Sequence, residues 1–163
     1  MSHWSAIVAA PGFCLGIRDD GVFIREIHFL EPCPEIIPSS EPAKAAARQL
    51  HAWLQDPTQR FDLPLAPAGT EFRQKVWAQI AAIPVGETRS YGDLARAIGS
   101  APRAVGGACG DNPYPVVVPC HRVVAASGGF NDGLGGFAHH SGGFLLDVKR
   151  WLLSHERQHG QAR

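Results

Sequence analysis

The chain has 163 residues, of which 45% are hydrophobic and 18% charged, and its formal net charge is zero. This composition is typical of a globular protein with one domain or two small ones. Because no apolar run approaches the ~20 residues that span a bilayer, the sequence excludes a membrane-spanning chain and we expect no membrane contact.

The charges are distributed unevenly along the chain. Residues 1–66 carry five Lys and Arg against eight Asp and Glu, a net charge of −3, whereas residues 67–163 carry ten against seven, a net charge of +3. Because nucleic-acid phosphates attract cations, any DNA-binding surface is predicted in the second part. The excess is small, so we expect modest affinity that weakens with added salt.

The first segment, Met1–Ser5, lacks the basic region of a signal peptide, so we expect a reducing, cytoplasmic location, close to the nucleoid if the source is bacterial. None of the four cysteines forms a CxxC pair, and we interpret all four as thiols. Cys14 and Cys33, with His3 and His51, lack the close spacing of zinc ligands, so we predict no metal.

The first 66 residues predict a small sheet followed by a helix. Three β-prone runs, 4–10, 13–18 and 22–29, are separated by Pro11-Gly12 and by Asp19-Asp20-Gly21, the second of which is a strong hairpin signal. A proline-rich loop over 31–42 follows. Ser40 can cap a helix whose buried face repeats at helical spacing, with the residues Ala43, Ala47, Leu50 and Leu54.

Three helices are predicted next. Thr70 caps the first, whose buried stripe is Phe72, Val76, Ile80 and Ile83. Ser90 and Asp93 resemble a capping box, which opens a second helix that Gly99 ends. The third runs from about Pro102 to Gly110. This spacing is that of a helix-turn-helix, and equally that of an ordinary corner between two helices.

The third helix carries small side chains and one cation. Ala104, Gly106, Gly107 and Ala108 cannot read base edges in the major groove, but they let a helix backbone approach the minor groove closely. The alternative is that they allow tight packing in the core, and both interpretations can hold on different faces of the helix. Arg103, at the start of this helix, is long and planar, so it could fill the gap left when a base leaves the stack.

The stretch Pro113–Val124 holds the strongest chemical signal. Val116–Val118 reads as a short buried strand that ends at Pro119. Cys120 follows, with His121 directly after it. A thiol becomes a strong nucleophile only as a thiolate, and His121 could supply the base or the cation that this requires. The alternative is a cysteine that only fills the core.

Seven glycines between Ala125 and Gly143 predict a flexible loop, which precedes a helix from about Phe144 to Glu156. The apolar arc of this helix comprises Leu145, Val148, Trp151 and Leu152, and Glu156 lies at its edge. A partly buried carboxylate needs a partner, and His121 would complete a Cys–His–Glu chain. The alternative is a glutamate in water at the helix end.

Several of these segments resemble one known family, the O6-alkylguanine-DNA alkyltransferases, also called methylated-DNA–protein-cysteine methyltransferases. The resemblance covers roughly Thr70 to Glu156. It is carried by the motifs Thr70–Trp77, Ile83–Tyr91, Pro102–Ala108, Asn112-Pro113, Pro119-Cys120-His121-Arg122-Val123 and Lys149–Glu156.

The resemblance implies an α+β fold in two domains. Residues 1–66 would form a supporting domain of sheet plus helix. Residues 67–163 would form a mainly helical, winged-helix-like domain that binds DNA through a helix-turn-helix and carries the active site. The implied activity is transfer of a methyl or alkyl group from O6 of guanine, with O4 of thymine as a second candidate, irreversibly to Cys120. Each molecule would act once, as a monomer and without a cofactor, on double-stranded DNA whose damaged base is flipped through the minor groove.

The resemblance also assigns residue roles. Cys120 would attack the alkyl carbon, His121, held by Glu156, would remove the thiol proton through a water molecule, and Asn112 would brace the turn. Arg103 would fill the gap left by the flipped base, and Tyr91 would push on the adjacent phosphate. Further DNA contacts are assigned to Ser90, Ala104 and Gly107, and the pocket to Tyr91, Val123, Phe137 and Ala138.

The loop after the cysteine departs from the family. Phe137 stands where the family has a tyrosine, and His139–Ser141 looks like an insertion, which leaves the substrate range open. Two other classes stay open on the sequence alone, namely a non-catalytic DNA-damage sensor of the same fold and a Cys–His hydrolase. A hydrolase would turn over repeatedly, and a sensor would transfer nothing.

Overall fold

The computed structural model describes residues 3–125 and 143–160 of the chain, which divides into two compact units, Met1–Pro67 and Ala68–Arg163. None of the helices in these described ranges combines the length and the apolar character needed to cross a bilayer. The predicted α+β class is confirmed, because an antiparallel sheet and one helix precede a mainly helical second unit.

The sheet of the first unit has three antiparallel strands in the order β1 (Ala6–Ala10), β2 (Phe13–Asp19) and β3 (Ile24–Leu30). β1 and β2 pair in a continuous register from Ala6↔Ile17 to Ala10↔Phe13. The predicted hairpin between β2 and β3 is present. Its turn is held by Asp20, whose Oδ1 accepts hydrogen bonds from the backbone N–H groups of Val22 and Phe23, as turn-forming aspartates commonly do.

Helix α1 (Glu41–Gln55) follows the proline-rich segment, and Ser40 caps it as predicted, accepting a hydrogen bond from the Ala43 N–H at 3.3 Å. The prediction of Leu54 as a core residue was wrong, because Leu54 is only half-buried and Trp53 is buried instead. Trp53 lies three residues after Leu50, which keeps it on the face that packs against the sheet.

The second unit contains α2 (Glu71–Ala81), β4 (Arg89–Ser90), α3 (Tyr91–Ile98), α4 (Pro102–Gly110), β5 (Val123–Val124) and α5 (Phe144–Gly160). β4 pairs in parallel with β5. α3 and α4 form the predicted helix-turn-helix, and Gly99 ends α3 in the left-handed conformation with φ of 68°. The capping box of Ser90 and Asp93 is also present.

The predicted strand over Val116–Val118 does not form. The segment turns back on itself, with the Val118 N–H donating to the Tyr114 carbonyl at 2.8 Å and Val116 in the left-handed region with φ of 74°. The prolines at 113, 115 and 119 lack the N–H groups that a strand ladder needs, so the apolar run forms a turn in which Val116 is buried and Val117 and Val118 are half-buried.

Trp77 holds α4 in place, a role that the sequence pattern missed. Its indole Nε1–H donates to the Ala108 carbonyl in α4 at 2.9 Å, in a buried contact. The predicted core residue Phe72 is half-buried, whereas Trp77 is buried. Gly69 lies against the indole, because a Cβ atom at this position would lie 2.6 Å from the ring.

This contact makes Gly69→Ala a test of the Trp77 position. Gly69 and Gly99 both have positive φ, 78° and 68°, but only Gly69 has a neighbour within 4 Å of its would-be Cβ. We expect Gly99→Ala to lower the free energy of unfolding by about 1 kcal/mol through backbone strain. Gly69→Ala should cost a further ~1–3 kcal/mol through overpacking. Equal losses in denaturant titrations would show that Trp77 moves aside freely.

Candidate active site and DNA-binding surface

Cys120, His121 and Arg122 form one turn of 3-10 helix, which is closed by the Arg122 N–H donating to the Pro119 carbonyl at 2.9 Å. All three side chains are buried. The tight turn follows from the preceding proline, and it ends where Val123 begins β5 beside β4. The local chain path therefore buries a thiol, an imidazole and a guanidinium within three consecutive residues.

Asn112 lies beside the Cys120 sulfur. Its Nδ2 donates to the Val118 carbonyl at 2.8 Å and lies 3.3 Å from Cys120 Sγ, while its Oδ1 accepts from the Tyr114 N–H at 2.9 Å. One amide side chain thus contacts both the turn before the cysteine and the cysteine itself. An N–H directed at sulfur favours the thiolate over the thiol.

His121 and Glu156 meet although they are far apart in the sequence. His121 Nε2 lies 3.0 Å from Glu156 Oε2, and the two side chains are 0% and 1% exposed. Glu156 lies on α5, whose buried face differs from the predicted arc in containing Leu146 and Leu153, whereas Leu145 and Trp151 are half-buried. The structure therefore brings together Cys120, His121, Glu156 and Asn112.

Arg122 is a member of this cluster that the sequence analysis missed. Its Nε lies 3.0 Å from each carboxylate oxygen of Glu156, its Nη2 donates to Oε2 at 2.5 Å, and its Nη1 donates to the Ile83 carbonyl at 2.6 Å. The missed signal was a permanent cation in an otherwise apolar buried segment, which requires a carboxylate partner.

Lys149 is the second missed residue. Its side chain is fully buried, and Nζ donates to the Val123 carbonyl at 2.8 Å and lies 5.9 Å from the centre of the Tyr91 ring. Lys149 precedes Glu156 by seven residues, which is two helical turns, so both lie on one face of α5. The seven-residue spacing from Glu156 could have identified Lys149 as a member of the buried cluster.

The environment of Cys120 opposes ionisation. Burial raises the pKa of the Cys120 thiol well above its ordinary value, and the hydrogen-bonded Cys109 thiol raises it further, while Asn112 and the charge of Lys149 act in the opposite direction. The resting sulfur is therefore a neutral thiol at neutral pH. It needs a base before it can react as a nucleophile.

The groups near Cys120 include a base that could accept its proton. Burial lowers the pKa of His121, Arg122 and Lys149 lower it further, and Glu156 opposes them without cancelling the effect. Burial raises the pKa of Glu156, but His121 and Arg122 outweigh it and bring the value to about 2. Burial lowers the pKa of Lys149 to about 8. The cluster thus holds an ionised carboxylate next to a neutral imidazole that can accept a proton.

Helix α4 presents the predicted small-residue face to solvent. Arg103, Ala104 and Gly107 are exposed, whereas Val105 and Ala108 on the opposite face are buried. A Cβ atom on Gly107 would have no neighbour within 4 Å. The two interpretations therefore apply to different faces of the helix: Ala108 packs in the core, whereas Ala104 and Gly107 lie on the exposed face.

Ser90 and Tyr91 lie at the start of α3. The Ser90 hydroxyl accepts a hydrogen bond from the Asp93 N–H at 2.9 Å, so its structural contact is the helix cap. Tyr91 is half-buried, and burial raises the pKa of its hydroxyl. Val123 is buried. Phe137 and Ala138, the other predicted pocket residues, lie outside the described residues.

Residues 71–158 match the family model described as "6-O-methylguanine DNA methyltransferase, DNA binding domain". A methylated-DNA–protein-cysteine methyltransferase of Methanosarcina acetivorans is 45% identical over 159 residues, which is 93% of this chain and 96% of the relative. The chain belongs to the methylated-DNA–protein-cysteine methyltransferase family. The resemblance of the sequence motifs is thereby confirmed.

A second relative and a solved structure are also similar to this chain. The constitutive one of Bacillus subtilis is 45% identical over 114 residues, covering 69% of this chain and 64% of the relative. The crystal structure of Mycobacterium tuberculosis OGT in complex with DNA has a TM-score of 0.75 and 36% identity, and the match covers 94% of this chain and 92% of that one. The likeness spans both units, so the α+β fold is shared by solved members of the family.

Replacing Asn112 with Ala tests the electrostatic reading of the site without DNA. Since the Asn112 N–H favours the thiolate, its loss should raise the pKa of Cys120 further and slow alkylation by iodoacetamide at a fixed pH. The rate is measured at the Cys120 peptide by mass spectrometry, and the Cys14 peptide serves as an internal control. An unchanged Cys120 rate would contradict the assigned contact.

Proposed function

We propose that the chain removes a methyl or small alkyl group from O6 of guanine in double-stranded DNA and transfers it irreversibly to Cys120. O4 of thymine is a second candidate position. Family membership already indicates a DNA-binding repair enzyme. What we propose in addition is the damaged base, the identity of Cys120 as the acceptor, and a single turnover. We further propose that it acts as a monomer.

The chemistry is a direct displacement at carbon. His121 takes the Cys120 proton through a bridging water molecule, and the thiolate attacks the alkyl carbon. The sulfur–carbon bond forms as the carbon–oxygen bond breaks, and the electron pair of the broken bond stays on the base, which takes up one proton to become guanine. The product is a thioether, which ordinary hydrolysis does not cleave. Each molecule therefore acts once.

The observation that carries this proposal is the 3.0 Å contact between His121 Nε2 and Glu156 Oε2, made by the residue that follows Cys120 in the same 3-10 turn. It fixes which ring nitrogen faces the carboxylate, so Nδ1 is the nitrogen that can accept a proton. This is the nucleophile–base–carboxylate arrangement of covalent catalysis. Asn112, at 3.3 Å from Sγ, supports the thiolate as it forms.

Recognition of the DNA rests on the exposed face of α4. Because Ala104 and Gly107 offer no groups that read sequence, this face suits close approach to the minor groove of any sequence. Arg103 projects from the first turn of the helix, where it can stack in the gap left by the flipped base. Tyr91, at the start of α3, is proposed to push on the phosphate next to the flipped base. The M. tuberculosis relative solved with DNA supports DNA as the partner.

Cys120→Ser should abolish alkyl transfer and leave binding to methylated duplex DNA nearly unchanged, because the proposed DNA contacts lie on other residues. Incubation of the wild-type chain with a duplex carrying O6-methylguanine should add one methyl group to the Cys120 peptide in mass spectrometry. Cys109→Ser is the matched control, since Cys109 lies next to Cys120. Label on Cys109 would disprove the assignment of the nucleophile.

Arg103→Ala should slow repair of duplex DNA by an order of magnitude or more, and it should slow reaction with free O6-benzylguanine far less, because the free base needs no flipping. Arg96→Ala is the matched control, because Arg96 is a 74% exposed arginine that pairs with Asp93 on α3. The two rates are compared in single-turnover assays. Equal losses on both substrates would show that Arg103 is only structural.

A further inference from the structure

The carboxylate of Glu156 lies between two groups that could each carry a positive charge. His121 Nε2 contacts Oε2 at 3.0 Å, and the Arg122 guanidinium contacts both oxygens. Both residues are buried, and Glu156 is 1% exposed. One buried negative charge is thus shared by one permanent cation and one imidazole that is charged only when protonated.

Burial is the largest cause that disfavours a proton on His121, and the permanent charge of Arg122 acts in the same direction, against Glu156. With Arg122 in place, the arginine and the carboxylate form a neutral pair, so a proton on His121 would add an unbalanced charge to a site that is buried from bulk solvent. Without the arginine charge, Glu156 would have His121 as its cation, and the protonated imidazole would become favourable.

We propose that Arg122 is a positioning residue that balances the charge of Glu156 and thereby keeps His121 neutral and able to accept the Cys120 proton. The two nitrogen contacts to the carboxylate also fix its plane, and the Nη1 bond to the Ile83 carbonyl fixes the guanidinium. The part of this inference that concerns the thiol proton rests on the proposed function. The charge of His121 itself can be measured without any DNA.

The other charged and titratable groups that face His121 are consistent with this assignment. Among the described residues, Glu156 and Lys149 face it from α5, and Cys120 and Arg122 belong to its own turn. Lys149 acts in the same direction as Arg122, but its pKa is about 8, so its charge is not permanent, and its Nζ donates to the Val123 carbonyl. Arg122 alone combines a permanent charge with direct contact to Glu156 within this set.

The direct test is an NMR titration of the His121 imidazole in the wild-type chain, in Arg122→Gln and in Arg122→Lys. In the wild type, the pKa of His121 should lie below the ordinary histidine value of about 6.5. Because Arg122 lowers this pKa, its neutralisation should raise it by about one unit or more. Arg122→Lys keeps the charge, so its value should stay close to that of the wild type.

An imidazole pKa that does not rise in Arg122→Gln would overturn the proposal, and so would two further results. The first is a His121 that is already protonated at neutral pH in the wild-type chain, a measurement that needs no variant to fold. The second is an equal rise in Arg122→Gln and Arg122→Lys, because this would show that shape rather than charge controls the imidazole. Thermal melts of both variants establish that the titrations report on folded protein.

Activity provides the second readout. In transfer from free O6-benzylguanine, the acid limb of the rate–pH profile should move to higher pH in Arg122→Gln, whereas Arg122→Lys should keep the wild-type midpoint even if its rate falls. If the imidazole titrates as expected but Cys120 of the wild-type chain is alkylated neither by free O6-benzylguanine nor by duplex DNA carrying O6-methylguanine, the proposed function fails and the role of Arg122 stands. If transfer occurs with an unmoved midpoint and an unmoved imidazole, only the role of Arg122 fails.

Discussion

The burial of a single carboxylate, Glu156, is the constraint on which the active site depends. A carboxylate that is 1% exposed must be compensated, and Arg122 and His121 do so from the turn that carries Cys120. The same arginine bonds to Ile83 after α2, so one ion pair joins α5, the catalytic turn and the end of α2. Removing one partner of such a buried pair is expected to cost about 3–5 kcal/mol, which makes the cluster structural as well as chemical.

The two faces of α4 differ in what they contact. The inner face is held by Val105, Ala108 and the indole of Trp77, while the outer face exposes Arg103, Ala104 and Gly107. The proposed function assigns DNA contact to the outer face, whose residues are exposed rather than packed in the core. The catalytic turn follows α4 within ten residues, and Asn112 links the two by contacting the Val118 carbonyl and the Cys120 sulfur.

The sequence was informative where the determinants are local. The caps at Ser40, Thr70 and Ser90, the Asp-Gly hairpin and the end of α3 at Gly99 each depend on a few adjacent residues, and all are present. The Val116–Val118 strand was wrong because apolar character alone cannot distinguish a buried strand from a buried turn between prolines. Arg122 was missed because its partner Glu156 lies 34 residues away in the sequence, and Lys149 was missed although it shares a face of α5 with Glu156, because a lysine on a helix is ordinarily at the surface.

The central claim is that a buried neutral thiol becomes a nucleophile once, by giving its proton to His121, and ends as a thioether. The most direct test is the stoichiometry of transfer from an excess of duplex DNA carrying isotopically labelled O6-methylguanine to a limiting amount of the wild-type chain. The account predicts that transfer stops at one methyl group per chain, all of it on protein. Continued release of methyl groups into solution beyond one per chain, as a hydrolase would give, would contradict it.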